Sequence, residues 1–148
     1  MIKNIQQKLN PYAPLFLRFG LGAVFFLFAF QKLSNPGQGQ SEIQLLLNIG
    51  IGGASALNFY LGVTELLVGL SFIFGAFIKY TGLIGAILII IFFSGLVTKY
   101  GFSQDPTLNR DLGLLAGAIT LWLIGAGPFS VDGWMKRGKE EKPAATQQ

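Results

Sequence analysis

The sequence predicts an all-α, polytopic membrane protein: a bundle of four transmembrane helices with a short interfacial or re-entrant segment between the first and second. Three observations predict it. Of 148 residues, 51% are hydrophobic and only 12% charged, against about 25% charged in a soluble domain. The mean hydropathy is +0.54. Apolar runs recur along the chain at lengths close to the roughly 20 residues that cross a hydrocarbon core about 30 Å thick. Little sequence is left for a separate soluble domain. Residues 1–133 are expected to form one transmembrane unit, and 134–148 a basic, mostly disordered cytoplasmic tail.

The elements follow in order. Residues 1–12, MIKNIQQKLNPY, are polar and basic, and the first span covers about 13–30, APLFLRFGLGAVFFLFAF, interrupted only by Arg18. Lys3 and Lys8 could serve as the basic region of a signal peptide. Arg18 inside the run, and the lack of a small-x-small cleavage site after it, favour a retained helix. QKLSNPGQGQSE (31–42) carries turn chemistry at Asn35-Pro36-Gly37. IQLLLNIGIGG (43–53) is apolar, too short to span and rich in Gly, so it reads as the interfacial piece.

The second span is expected over about 55–78 and the third over 80–98, with Lys79 marking the tight connection. In TKYGFSQDPTLNRD (98–111), Asp105-Pro106 signals a helix stop or turn. The fourth span is expected over about 112–129, ended by Gly127-Pro128. Beyond it, Ser130 is a candidate N-cap and Asp132 a second cap, Trp134 suits a membrane interface, and PAATQQ reads as disordered.

Four spans place both termini and Lys79 on one side, with Lys3, Lys8, Lys136, Arg137, Lys139 and Lys142; Lys32, Lys99 and Arg110 fall on the other. Positive residues favour the cytoplasmic side, so both termini are expected in the cytoplasm of a bacterial inner membrane. The same distribution explains the net charge of +4: basic tails meet lipid headgroups, and nucleic acid is not an expected partner.

Two absences exclude whole chemistries. The chain has no Cys and no His. There is therefore no disulfide, CxxC pair or thiolate nucleophile. Bis-histidine haem, H-E-x-x-H zinc and histidine proton relays are excluded too, and no metal site is expected. The glycines form no strand–GxGxxG–helix unit, hence no nucleotide signal.

One carboxylate, Glu65, interrupts the run YLGVTELLVGLSFIFGAF (60–77). A charge at mid-span costs at least about 2.5–3.5 kcal/mol on insertion scales, so it turns inward and seeks a partner. Gly62, Glu65, Gly69 and Phe72 share one helix face, where glycines allow close helix approach. Arg18 is the one base inside another apolar run, on a face with Gly22 and Ala29. At 1.5 Å per residue, Arg18 lies about 18 Å from Phe30 and Glu65 about 15 Å from Ser55, comparable depths, whereas registering the inner ends, Pro14 and Ile78, gives about 6 and 20 Å, a much poorer match. Three readings stay open: an Arg18–Glu65 tether, a polar site holding a headgroup or proton, and a lone protonated Glu65. Gln31, Lys32, Arg110 and Asp111 border spans at the other end and are candidates for an outer mouth, with Asp111 also suited to the first turn of the fourth helix.

Taken together, LRFGLGAVFFLFAFQKL (17–33), GVTELLVGLSFIFGAFIKY (62–80) and NRDLGLLAGAITLWLIGAGPFSVD (109–132) resemble, in order and spacing, the DoxX family of small four-helix bacterial membrane proteins. Where many members have His-Gly before Lys-Leu, this chain has Phe28 and Ala29, so no histidine-dependent role carries over. The resemblance implies association with redox systems, among them quinol- and quinone-linked oxidoreductases and thiol-stress proteins. The expected function is a non-catalytic membrane subunit of a redox or oxidative-stress-linked complex that binds a quinone or lipid headgroup in its polar pocket. No intrinsic cofactor is expected. The expected partners are the bilayer, a membrane or periplasmic redox protein, and further copies of the chain. The alternative is a small proton-coupled transporter or permease with Glu65 as its site.

Overall fold

The computed structural model describes residues 2–34, 40–48, 50, 52–102 and 106–140. Its helices are α1 (Ile2–Leu9), α2 (Ala13–Ser34), α3 (Gln40–Asn48), α4 (Ala54–Phe74), α5 (Ile78–Tyr100), α6 (Pro106–Ile124) and α7 (Val131–Glu140), with a 3₁₀ turn, Asn10–Tyr12, joining α1 to α2. Among the described residues, three stretches are long and apolar enough to cross a membrane: Lys3–Ser34, Ala54–Phe74 and Ile78–Thr98.

α6 completes a four-helix bundle. α2 packs along α4 and α5 along α6, while α4–α5 and α2–α6 contacts close the ring. The expected fourth span, 112–129, is not among these three stretches. Its helix ends at Ile124 because Gly125 and Gly127 both adopt φ of +77°. The apolar part, 112–124, covers about 20 Å at 1.5 Å per residue, and the turn before it carries Asn109, Arg110 and Asp111.

Lipid is as apolar as leucine, so close packing and polar contacts hold such helices together. The α2–α4 seam shows how. A Cβ on Gly69 would lie 2.8 Å from the Phe26 nitrogen, and one on Gly22 would lie 3.0 Å from the Gly69 carbonyl oxygen. The two backbones therefore touch directly. Leu21, Phe25, Val68, Phe72 and Leu121 fill the core, with the Phe25 and Phe72 rings edge-to-face at 5.6 Å. Phe16, Leu27, Leu67 and Ile91 lie exposed on the outside, where acyl chains belong.

The α4–α5 joint falls at 75–77, not at Lys79, which sits in the first turn of α5. Gly75 ends α4 at φ +68°, and Phe77 follows at φ +57°, an uncommon conformation for a residue with a side chain. Pro106 opens α6 and so acts as a helix start; Pro suits that position because its missing N–H would have no helical partner there. The expected interfacial segment, 43–53, overlaps α3, which begins earlier, at Gln40, rests on α4 and touches α5. The Asn35-Pro36-Gly37 turn and the end of the tail, from 141, lie outside the described residues. α7 makes 134–140 helical, which shortens the expected disordered tail.

Candidate functional site

Ala54, Asn58, Gly62, Glu65, Gly69 and Phe72 form one buried stripe along α4. Glu65 faces Lys32: the ammonium Nζ lies 2.6 Å from Oε1, with the two side chains only 6% and 4% exposed. Gly62 makes room for this. A Cβ there would sit 3.2 Å from the Lys32 Cβ, so the lysine stem lies against bare α4 backbone. Lys32 Nζ also stands 4.6 Å from the centroid of the Phe92 ring on α5, a cation–π contact worth more when desolvated, as here. The pair joins α2 to α4 and presses its cation against α5.

Around this pair lie the other residues of the Lys32 end. Arg110 donates from Nε (3.0 Å) and Nη2 (2.9 Å) to Asp111 Oδ1, and its guanidinium lies 4.8 Å from the Phe28 ring centroid, one turn from Lys32. The Arg110 side chain is 47% exposed and that of Asp111 is buried. Asp111 is not in the first turn, since α6 begins at Pro106; it braces Arg110 instead of serving the helix dipole. Gln31 is exposed.

Sequence reasoning missed Asn58. It is 4% exposed, and its Oδ1 has no hydrogen-bond partner among the described residues. Its spacing from Gly62, Glu65 and Gly69 puts it on the Glu65 face, a signal that was there to be used.

Arg18 belongs to the opposite end. The expected Arg18–Glu65 pair does not form. The guanidinium packs against Gly75, ten residues along α4 from Glu65, or about 15 Å at 1.5 Å per residue. Phe30 does not lie level with Ser55: α2 runs on to Ser34 and buries Lys32, and Gly22 packs on Gly69 and Lys32 on Gly62, a register that leaves Ser55 well beyond Phe30.

Arg18 is 1% exposed and donates from Nη2 to the Phe129 carbonyl at 2.6 Å; its Nε and Nη1 have no partner among the described residues. Asp132, whose charge opposes that of Arg18, accepts from the backbone N–H of Phe77 (2.8 Å) and Ile78 (2.9 Å), while its own N–H donates to the Gly75 carbonyl at 3.0 Å. It thus caps α5, not the helix that carries it. Ser130 Oγ accepts from Gly133 N–H at 2.9 Å, the N-cap of α7 anticipated from sequence. Tyr12 and Phe129 stack at 4.9 Å. Residues from both ends of the chain thereby lock the α4–α5 joint.

Chemically, the Lys32 end offers fixed charges and amide oxygens in apolar surroundings. Among the described residues, no three His, Cys, Asp or Glu side chains gather in a way that could hold a metal ion.

Comparison with known proteins places this architecture. The family model described as DoxX matches residues 13–97, more than half of the chain and the part that carries Arg18, Lys32, Asn58 and Glu65. No curated protein and no solved structure matches the chain.

Proposed function

The chain belongs to the DoxX family of multi-pass membrane proteins, and from that premise we propose that it is a non-catalytic membrane subunit of a redox or oxidative-stress-linked complex. Its role there is to hold a quinone-type headgroup at the Lys32 end. One observation carries this reading: Asn58, buried on the same α4 face as Glu65, leaves its Oδ1 without a partner among the described residues. A buried unpaired acceptor costs roughly 1–3 kcal/mol. The hydroxyl of a reduced quinone would satisfy it, the partly exposed Arg110 guanidinium beyond Phe28 would offer donors to ring oxygens, and the surrounding aromatic rings suit a planar headgroup. A quinone, when bound, supplies two-electron redox chemistry; the residues here bind and orient it and keep water away.

The distribution of Lys and Arg supports an arrangement with both termini cytoplasmic and the Lys32 end facing the periplasm, where a partner protein would meet Gln31 and Arg110. Mild-detergent purification followed by solvent extraction tests the binding. Quinone is expected to accompany the wild-type chain and to be lost from Asn58→Leu, with helicity unchanged. If the chain retains no more quinone than an unrelated membrane protein of similar size, the reading is wrong.

A further inference from the structure

At the Arg18 end, the start of α5, the end of α6 and the first turns of α7 border an open groove of about 880 Å³. Its walls include Tyr80, Trp122, Leu123 and Met135, all at least partly open to the outside. Two cations, Lys79 and Lys136, line it as well, and both are exposed. Among the described residues that line it, the one acid, Asp132, has both carboxylate oxygens engaged by the α5 backbone and its charge opposed by Arg18. The groove therefore presents positive charge beside an apolar wall.

We infer that this groove binds an anionic phospholipid, headgroup between Lys79 and Lys136 and one acyl chain along Trp122 and Leu123. Three features favour that occupant. Ile119, one turn along α6 from Trp122 and Leu123, is exposed as they are, so the apolar wall runs on toward lipid. Phe77, Tyr80, Trp122 and Trp134 cluster at this end and are exposed, as aromatic residues are at the headgroup level. Finally, the charge is complementary: a lysine near an anionic leaflet favours binding by about fivefold, and two by about 25-fold. A zwitterionic lipid would use the same wall without that gain. This site is separate from the Lys32 end and does not depend on the quinone reading.

Tryptophan quenching tests it. Trp122 and Trp134 are the chain's two tryptophans, so the full chain carrying Trp134→Phe reports from the groove alone. Reconstituted in phosphatidylcholine bilayers, it is titrated with acyl-brominated phosphatidylglycerol or acyl-brominated phosphatidylcholine. Trp122 is expected to prefer phosphatidylglycerol at least about fivefold. Lys79→Gln/Lys136→Gln should abolish the preference, while Lys3→Gln/Lys8→Gln should keep it. Both groove lysines are exposed, and unchanged circular dichroism confirms folding. Equal quenching by the two lipids overturns the inference, as does a preference that survives the groove substitutions. Loss of preference in Lys3→Gln/Lys8→Gln would assign it to a diffuse basic surface. Displacement of the brominated lipid by excess inorganic phosphate would assign the lysines to a free anion. Either result also overturns it.

Discussion

The Lys32 ammonium and the Glu65 carboxylate meet at 2.6 Å inside the bundle, shielded from lipid and water alike. Each makes the burial of the other tolerable. Isolated, either ion would carry a desolvation penalty of several kcal/mol; together they fix the register of α2 on α4.

The pair should behave as a unit. Lys32→Met and Glu65→Leu are each expected to cost about 3–5 kcal/mol, because each takes from a buried ion its opposite charge, and the double substitution should cost clearly less than their sum. Thermal unfolding in detergent, read as a double-mutant cycle, measures the coupling. Additive losses would show that the contact contributes nothing specific.

Arg18 and Glu65, by contrast, should be independent. They lie about 15 Å apart along the bundle and share no partner among the bonds described, so Arg18→Leu and Glu65→Leu should add within about 0.5 kcal/mol. A coupling larger than that would mean that the two ends communicate through the core.

Three glycines, in α2, in α4 and at the α4–α5 joint, should respond differently to the same methyl group. Gly20 has open space around it, and Gly20→Ala should be neutral or stabilise by up to about 1 kcal/mol. Gly69→Ala pushes against the Phe26 backbone and should cost about 1–3 kcal/mol by forcing the helices apart. Gly75→Ala adds strain at φ +68° to a collision with the Arg18 guanidinium and should be the worst of the three. Ranking their midpoints of thermal unfolding checks this; a tolerated Gly75→Ala would contradict the joint described above.

Asp132 should stabilise a helix it does not belong to. Asp132→Ala removes the side-chain acceptor for Phe77 and Ile78 N–H and should cost about 1–2 kcal/mol. Hydrogen exchange should accelerate at 77–81 as well as within α7. Faster exchange restricted to α7 would mean the cap contributes little.

Much of the fold was legible because hydropathy and helical period are local properties. The Glu65 stripe could be read from Gly62, Gly69 and Phe72 spacing, and the Ser130 cap from its position before a new helix. Lys32 was harder. A lysine near a span end ordinarily extends its charge toward water, and QKLS looked like the start of a loop; its inward turn depends on the space left by Gly62 on another helix. Asp132 was legible as a cap, but which helix it caps depends on how α7 folds back against α5. Asn58 went unread, although its spacing from Gly62, Glu65 and Gly69 marked the buried face.

The lock at the Arg18 end has a consequence for how the molecule is made. Arg18 emerges from the ribosome early, yet the carbonyl it holds belongs to Phe129, and the cap for Phe77 and Ile78 belongs to Asp132. During synthesis, α2 and α4 can already pair through Gly22, Gly69 and the Lys32–Glu65 contact. The α4–α5 joint cannot acquire its bonds to Asp132 until more than fifty further residues have been translated. Synthesis of the first three spans therefore precedes closure of that end, and the nascent chain carries Arg18 without its Phe129 partner until the last residues of the bundle are made.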